Sequence, residues 1–438
     1  MVLPVFDIDV IIWHTEAEQM NSEPGQLAPN PTDVDPLDLV DPERYAQRGY
    51  PHDLWRWLRA EAPVAHFAPP GYAPFWAITK HADVQQIAAQ PERFSSGQGI
   101  ALRRANAAVV PPSDILVLLD PPRHGPMRRV ANGRFTPRAV RARSADIDRI
   151  SVEILEHAPT VGDPGELDFV ERIAAPFPLW VIAWILGVPH ADVGLLFRWT
   201  NEVIGKDDPE YRRPGESPGQ TIKRARGELR AYLGQLIERR RSDPEDDLVS
   251  ELINGTVDGA PLTQEQLVSY CELLVEAGNE TTRNAVSGGV LAFSQHPDQW
   301  AKLRERPELL SDAVDEILRW VSPISHFTRV ATEDCEVGGV AIRAGEQVAL
   351  YFASANRDED VFGDPFAFRV DRRPNPHLAF GFGEHFCMGA HLARVELATI
   401  FRHLLTRVES FEVSGPVERL RSAVNGSIKR LPLRCRPA

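Results

Sequence analysis

No proline interrupts the chain between Pro261 and Pro297. Thr263 and Gln266 stand at capping-box spacing where this stretch opens, so the pattern predicts a helix start there. About thirty helical residues at about 1.5 Å each make a rod roughly 45–50 Å long. The stretch is apolar around most of its circumference, which places such a rod inside a core rather than on a surface. A chain that buries a rod of this length must wrap other helices around it.

The remaining sequence agrees with that demand. It has 438 residues, 43% of them hydrophobic, enough for a large core. From about residue 120 to 405 most segments repeat apolar residues at helical spacing, with many of the 37 prolines at the breaks. Residues 44–61 read as one helix. Short strands are expected at 75–79, 335–342, 347–352 and within 411–432. The expectation is a mainly α protein with small β-sheets, in one large domain over residues 41–438.

Residues 1–43 hold ten acidic residues and no Lys or Arg, so of the net charge of −14 only about −4 belongs to the rest. We read 1–40 as a flexible acidic leader. It lacks the basic n-region of a secretory or transit peptide, and its longest apolar run is too short to span a bilayer. An acidic chain matches nucleic-acid backbones poorly. The four cysteines, Cys271, Cys335, Cys387 and Cys435, are far apart, which argues against disulfide frameworks and Cys-pair zinc sites and for a cytoplasmic protein.

Three motifs carry chemistry. The first, Ala277-Gly278-Asn279-Glu280-Thr281-Thr282, lies mid-rod. Gly costs about 1 kcal/mol against Ala in a helix interior, Thr281 can bond the carbonyl of Ala277, and a buried Glu is costly without a partner. Either the helix opens a groove with an acid–alcohol pair beside it, or it kinks and turns Glu280 to solvent. The second motif, Glu316 and Arg319, shares one helix face at i,i+3; most such pairs are exposed and weak.

The third is FGFGEHFCMGAHLAR, residues 380–394. Glycines around Cys387 allow tight turns and close approach to a large flat object. The helical pattern that follows would set a thiolate at a helix N-terminus. Cys387 is then a metal ligand, a nucleophile beside His385 or His391, or a buried structural thiol.

Phe380-Gly381-x-Gly383-x-His385-x-Cys387-x-Gly389 resembles the haem-binding signature of the cytochrome P450 haem-thiolate monooxygenases. Ala277-Gly278-x-Glu280-Thr281-Thr282 and Glu316-x-x-Arg319 stand in the order that family has them. Residues 120–138 are similar to its haem-contacting helix, and 355–383 to the bacterial form of the meander before the cysteine. The resemblance runs from about Asp41 to the end.

It implies the cytochrome P450 fold, with haem b between the long central helix and the helix after the cysteine. Cys387 would be the axial ligand to iron, in a loop that also brings Phe380, Gly381 and Gly389 to the haem. His124, Arg128, Arg329 and His385 match the positions that hold the propionates. Glu280 and Thr281 match the catalytic acid–alcohol pair, with Ala277 and Gly278 leaving room for O2 and substrate. Glu316, Arg319 and Arg372 would be structural, steadying the cysteine loop.

The implied reaction inserts one atom of O2 into a hydrophobic molecule of terpenoid, steroid or fatty-acyl type. Segments 95–117, 177–199, 272–281, 324–327 and 423–427 would line the pocket, with Ile324, Phe327 and Val424 as contacts. His326 would touch substrate or be a satisfied structural histidine. Residues 123–143 hold seven arginines and no acid. With Arg394 and Arg402 they form either a solvated surface or a dock for an acidic donor, a ferredoxin with a separate NAD(P)H-dependent reductase. A monomer is expected. The alternative reading is a protein of this fold with coupling, isomerase or peroxygenase chemistry, or a non-catalytic haem protein.

Overall fold

The central rod forms as one uninterrupted helix, Gln264–Gln295. Thr263 caps it reciprocally: the Gln266 amide donates to Thr263 Oγ1 at 3.2 Å, and the Thr263 amide donates to Gln266 Oε1 at 2.9 Å. It stops at His296, where Pro297 starts the next helix. In this computed structural model, residues 34–107, 113–158 and 166–438 are described.

Helices pack on the rod where its side chains vanish. A Cβ on Gly288 would sit 2.7 Å from Val321, and one on Gly289 would sit 2.8 Å from Phe401 and 3.0 Å from Ile317. These two glycines let helices Leu310–Val321 and Ala390–Arg407 press against the rod. Helices Pro176–Leu186, Val193–Ile204 and Pro218–Ser242 cover it from other sides. The main core gathers around this bundle.

A five-stranded sheet packs a second, smaller core. Its order is Val64–Phe67, Phe75–Ile78, Gln347–Tyr351, His326–Ala331, Phe94–Ser95. Gln347–Tyr351 runs parallel to Phe75–Ile78 and antiparallel to His326–Ala331, with Ala349 opposite Thr328. A C-terminal sheet joins Val408–Val413, Pro432–Pro437 and Glu166–Asp168. From it a hairpin, Glu418–Arg419 with Ile428–Arg430, sends its tip back to the end of helix Leu310–Val321. There the Ser325 amide donates to Val424 O at 2.7 Å, and Ile324 bridges Asn425.

Two boundaries differ from the sequence reading. Residues 44–61 form two helices, Pro42–Arg48 and His52–Glu61. Gly49, at φ 73°, turns the chain out of the first, and Pro51 has no N–H with which to continue a helix. The compact unit runs from Asp35 to Ala438 rather than from residue 41. Asp35 caps a short 3-10 helix, Pro36–Leu39, that buries Leu39 and Val40. The rest of the expected leader, residues 1–33, lies outside the described residues. Among the described residues no helix is long and apolar enough to cross a membrane.

Candidate functional site

The cysteine loop is held by backbone. Cys387 donates its amide to Phe380 O at 2.9 Å. Gly381 and Gly383 take φ +70° and +71°, conformations that other residues adopt only under strain. Helix Ala390–Arg407 begins three residues after the thiol. The Gly389 amide hydrogen-bonds the sulfur, and Arg128 and Arg394 add positive charge nearby. Burial opposes them and pushes the Cys387 thiol up. The residue itself is accessible, so the sulfur faces an internal cleft. A thiol in this setting ionises when a bound metal cation takes the proton's place.

Four basic side chains from three distant segments converge beside the loop. His124 and His385 rings lie 4.3 Å apart. His124 Nδ1 meets Glu384 Oε1 at 2.8 Å, and Arg128 donates to Phe386 O at 2.7 Å. Arg329 is buried, and its guanidinium donates only to Thr328 O, at 2.7 Å. Desolvation takes its pKa down to about 10. Burial, then the cations Arg329, His124 and Arg128, push His385 down to about 3. Ser96, which the sequence reading placed only within the pocket segment 95–117, meets His385 Nε2 at 3.3 Å.

The cluster is short of negative charge. A ligand bringing two carboxylates would supply what Arg329 and His385 lack. With a metal-binding thiol in the same loop, these residues fit haem b, whose iron takes a thiolate and whose two propionates need cations.

On the rod, the AGNETT segment stays helical. Thr281 Oγ1 donates to Ala277 O at 2.8 Å, the i−4 bond its position allows. Ala277 is exposed and Thr281 half-buried in a helix otherwise largely enclosed, so this i,i+4 pair opens onto the cleft. Gly278 does not. A Cβ there would lie 3.2 Å from Ile182, so it serves the packing of helix Pro176–Leu186 rather than making room for ligand.

Glu280 is 2% exposed, the reverse of a solvent-facing acid. Its Oε1 pairs with Arg283 at 2.5 Å and accepts from Ser427 Oγ at 2.6 Å. Arg283 reaches on to Asn201 Oδ1 at 3.1 Å, and Asn284 donates to Ser427 Oγ at 2.7 Å. Glu280 Oε2 and Arg283 Nε are buried without a partner. Arg283 was legible as the i+3 neighbour of Glu280; Ser427 and Asn201 arrive by tertiary folding and had no local signal.

Glu316 and Arg319 are fully buried, not exposed. Arg319 grips Glu316 through two bonds of 2.8 Å, and Arg372 adds one at 3.1 Å. The two arginines then spend their remaining donors on carbonyls of Asn356, Gly363, Asp364, Pro365 and Ala367. The triad therefore pins the segment that leads to the cysteine loop.

Ile324, Phe327 and Val424 are half-buried and drawn together by the hairpin tip. His326 points the other way. It is fully buried against Tyr351, ring centroids 4.9 Å apart, with Nδ1 to Ser325 Oγ at 2.7 Å. Burial lowers it to about 4, and its Nε2 is buried without a partner, so the ring is enclosed but not the fully satisfied histidine of the structural reading. Of the pocket segments, 108–112 lie outside the described residues.

The arginine-rich stretch is less basic than its sequence. Arg123 pairs with Asp114, Arg134 with Asp246 and Glu251, Arg394 with Asp315 and Arg402 with Asp148. Arg129, Arg138 and Arg141 are exposed and without acidic partners among the described residues.

Comparison with known proteins follows this geometry. A profile described as Cytochrome P450 matches residues 215–422. The chain is 37% identical over 408 residues to a linalool 8-monooxygenase of Pseudomonas putida, covering 90% of this chain and 97% of that one. It is 37% identical over 436 residues to a steroid C26-monooxygenase of Mycobacterium bovis, covering 96% and 95%. It superposes on a Mycobacterium marinum cytochrome P450 in complex with pseudoionone with a TM-score of 0.83 at 33% identity, covering 93% and 100%. A thiol poised at a helix N-terminus, Arg128 and Arg329 without carboxylate partners among the described residues beside it, and relatives matched end to end agree: the chain belongs to the cytochrome P450 family, as a haem b monooxygenase.

Proposed function

We propose that this enzyme hydroxylates a branched, methyl-bearing hydrocarbon of isoprenoid type, with electrons from a ferredoxin. What supports the substrate reading is that the pocket residues expected from the sequence, Ala277, Ile324, Phe327 and Val424, are all apolar and at least partly accessible. The alternatives carried in the sequence, steroid and fatty-acyl chains, share that apolar surface. Linalool, which one relative oxidises by its name, and pseudoionone, bound in a similar structure, are branched chains of this kind.

Haem iron, when bound, supplies the centre at which O2 is reduced and split, one atom going to substrate and one to water. Cys387 holds the iron, and the Gly389 amide tempers the sulfur's charge. Arg128, Arg329, His124 and His385 hold the propionates. Phe380 and Gly381 shape the loop around the thiol, and Gly389 caps the helix behind it.

Thr281 presents its hydroxyl to the cleft while donating to Ala277. Its oxygen is thereby left as an acceptor, which steadies a proton-bearing ligand opposite it. Glu280 is the proton reservoir: Oε2 has no partner, while Arg283 and Ser427 fix Oε1. Intact acid and alcohol favour monooxygenation over coupling, isomerisation or a non-catalytic role. Arg129, Arg138 and Arg141 give an acidic ferredoxin its dock, since they are the cations of that stretch left exposed and unpaired among the described residues.

The test is a binding screen of linalool, pseudoionone, cholestenone and palmitate, followed by product analysis under labelled O2. One labelled oxygen in a hydroxylated isoprenoid chain supports the reading. Turnover confined to palmitate, or product without label, overturns it.

A further inference from the structure

A second cavity, of about 300 Å³, lies between the C-terminal hairpin and the end of the central helix. It is lined by three arginines, Arg48, Arg357 and Arg419, and by no aspartate or glutamate. Arg48 has Asp38 at 3.8 Å. The other two have no carboxylate partner among the described residues.

Arg357 is 3% exposed. It donates to Trp320 O at 2.9 Å and Arg319 O at 3.3 Å, stacks 4.1 Å over the Trp320 ring, and leaves its Nε unpartnered. Arg419 is the less explained group. Its guanidinium, half-buried beside Gly49 and Tyr50, makes no side-chain hydrogen bond among the described residues, and burial lowers its pKa. Placing cations out of water without counter-charge is costly. His52 opens helix His52–Glu61 on this cavity, and that helix start has no side-chain cap. The His52 amide is taken by Tyr50 O at 2.8 Å, and the helix start as a whole adds positive potential.

The rest of the wall sets the aromatic side chains of Tyr45, Tyr50, Trp320 and Phe366 beside the polar Gln295 and Asn425. Tyr50 donates to Ser322 O at 2.7 Å, which leaves its ring to the cavity, and Trp320 stands with it. Gly426 makes this possible, since a Cβ there would lie 2.3 Å from the Tyr50 hydroxyl.

We propose that this cavity binds a small organic carboxylate, its anionic end between Arg419 and Arg357 and its apolar body against Tyr50 and Trp320. The site is separate from the haem cleft. Ser427 also lines it, so its occupant touches the residue that donates to Glu280.

The probe is benzoate, titrated calorimetrically into the haem-loaded full chain at fixed ionic strength. Inorganic phosphate and benzyl alcohol run in parallel, and the haem absorption spectrum reports the cleft. The expected result is benzoate binding without a haem spectral change, weakened roughly tenfold or more by Arg419→Gln and retained by Arg419→Lys. Benzyl alcohol and phosphate should each bind more weakly than benzoate. Arg419 makes no side-chain bond that the fold relies on, and an unchanged haem spectrum certifies the Gln variant as folded. Benzoate binding undiminished in Arg419→Gln, no benzoate binding at all, or equal affinity for phosphate or benzyl alcohol overturns the proposal.

Discussion

Ser427 donates a hydrogen bond of 2.6 Å to Glu280, joining positions 147 residues apart in sequence. The same hydroxyl accepts from Asn284 at 2.7 Å. The C-terminal hairpin thereby reaches the middle of the central helix and fixes one oxygen of Glu280.

Removing that hydroxyl leaves two buried polar groups short of a partner. Ser427→Ala should lower stability by about 1–3 kcal/mol, and Ser427→Thr should retain most of it. Chemical denaturation of the haem-loaded enzyme checks this; an alanine variant with an unmoved midpoint would contradict the network.

Thr281 has a different failure. Its side chain serves no distant element, so Thr281→Ala should bind haem normally and fold normally. A proton-handling role is typically worth about 10²–10⁴-fold, and here its loss should divert electrons from product to peroxide. Product formed per reductant consumed is the measurement, and an unchanged ratio removes the residue from proton delivery.

Glu316 is the opposite case, a charge that never meets a ligand. Its carboxylate compensates two buried guanidiniums. Glu316→Ala should cost about 3–5 kcal/mol and yield protein that fails to retain haem. Haem content after gel filtration reads this directly; normal retention would show that the meander holds the cysteine loop without the triad.

Glu396 gives a pH signature. It lies on the cysteine helix, 2% exposed, and burial raises it to about 8 while a hydrogen bond from Thr282 pulls the other way. The folded protein keeps this proton until about pH 8, whereas the unfolded chain releases it near 4.5. The contribution is therefore full below about pH 4.5 and is lost as pH rises through 8. Glu396→Gln should flatten the fall in stability between about pH 4.5 and 8; an equally steep decline in that variant would place the proton elsewhere.

What could be read in the sequence was whatever is local. The central helix announced itself through its cap and its missing prolines, and the cysteine loop through glycines spaced for a turn. Thr281 to Ala277 followed from i−4 geometry alone. Burial was legible only in part: Glu316 looked like an ordinary helix-face acid, Glu280 could be read either as enclosed or as turned to solvent, and only folding shows both enclosed. Nor was direction within a strand or rod, which turned His326 inward and set Gly278 against Ile182. Charge density misled for a related reason, because Asp114, Asp148, Asp246, Glu251 and Asp315 come from other segments to meet the arginines.

Gly383 shows how far the cysteine loop depends on its neighbour. A Cβ there would stand 2.2 Å from the carbonyl oxygen of Ala88, at the end of helix His81–Ala88. The loop is keyed to that helix end as a tenon is to its mortise. A chimera carrying a foreign cysteine loop must import the matching helix terminus with it, and the two distant segments are free to drift in evolution only as a pair.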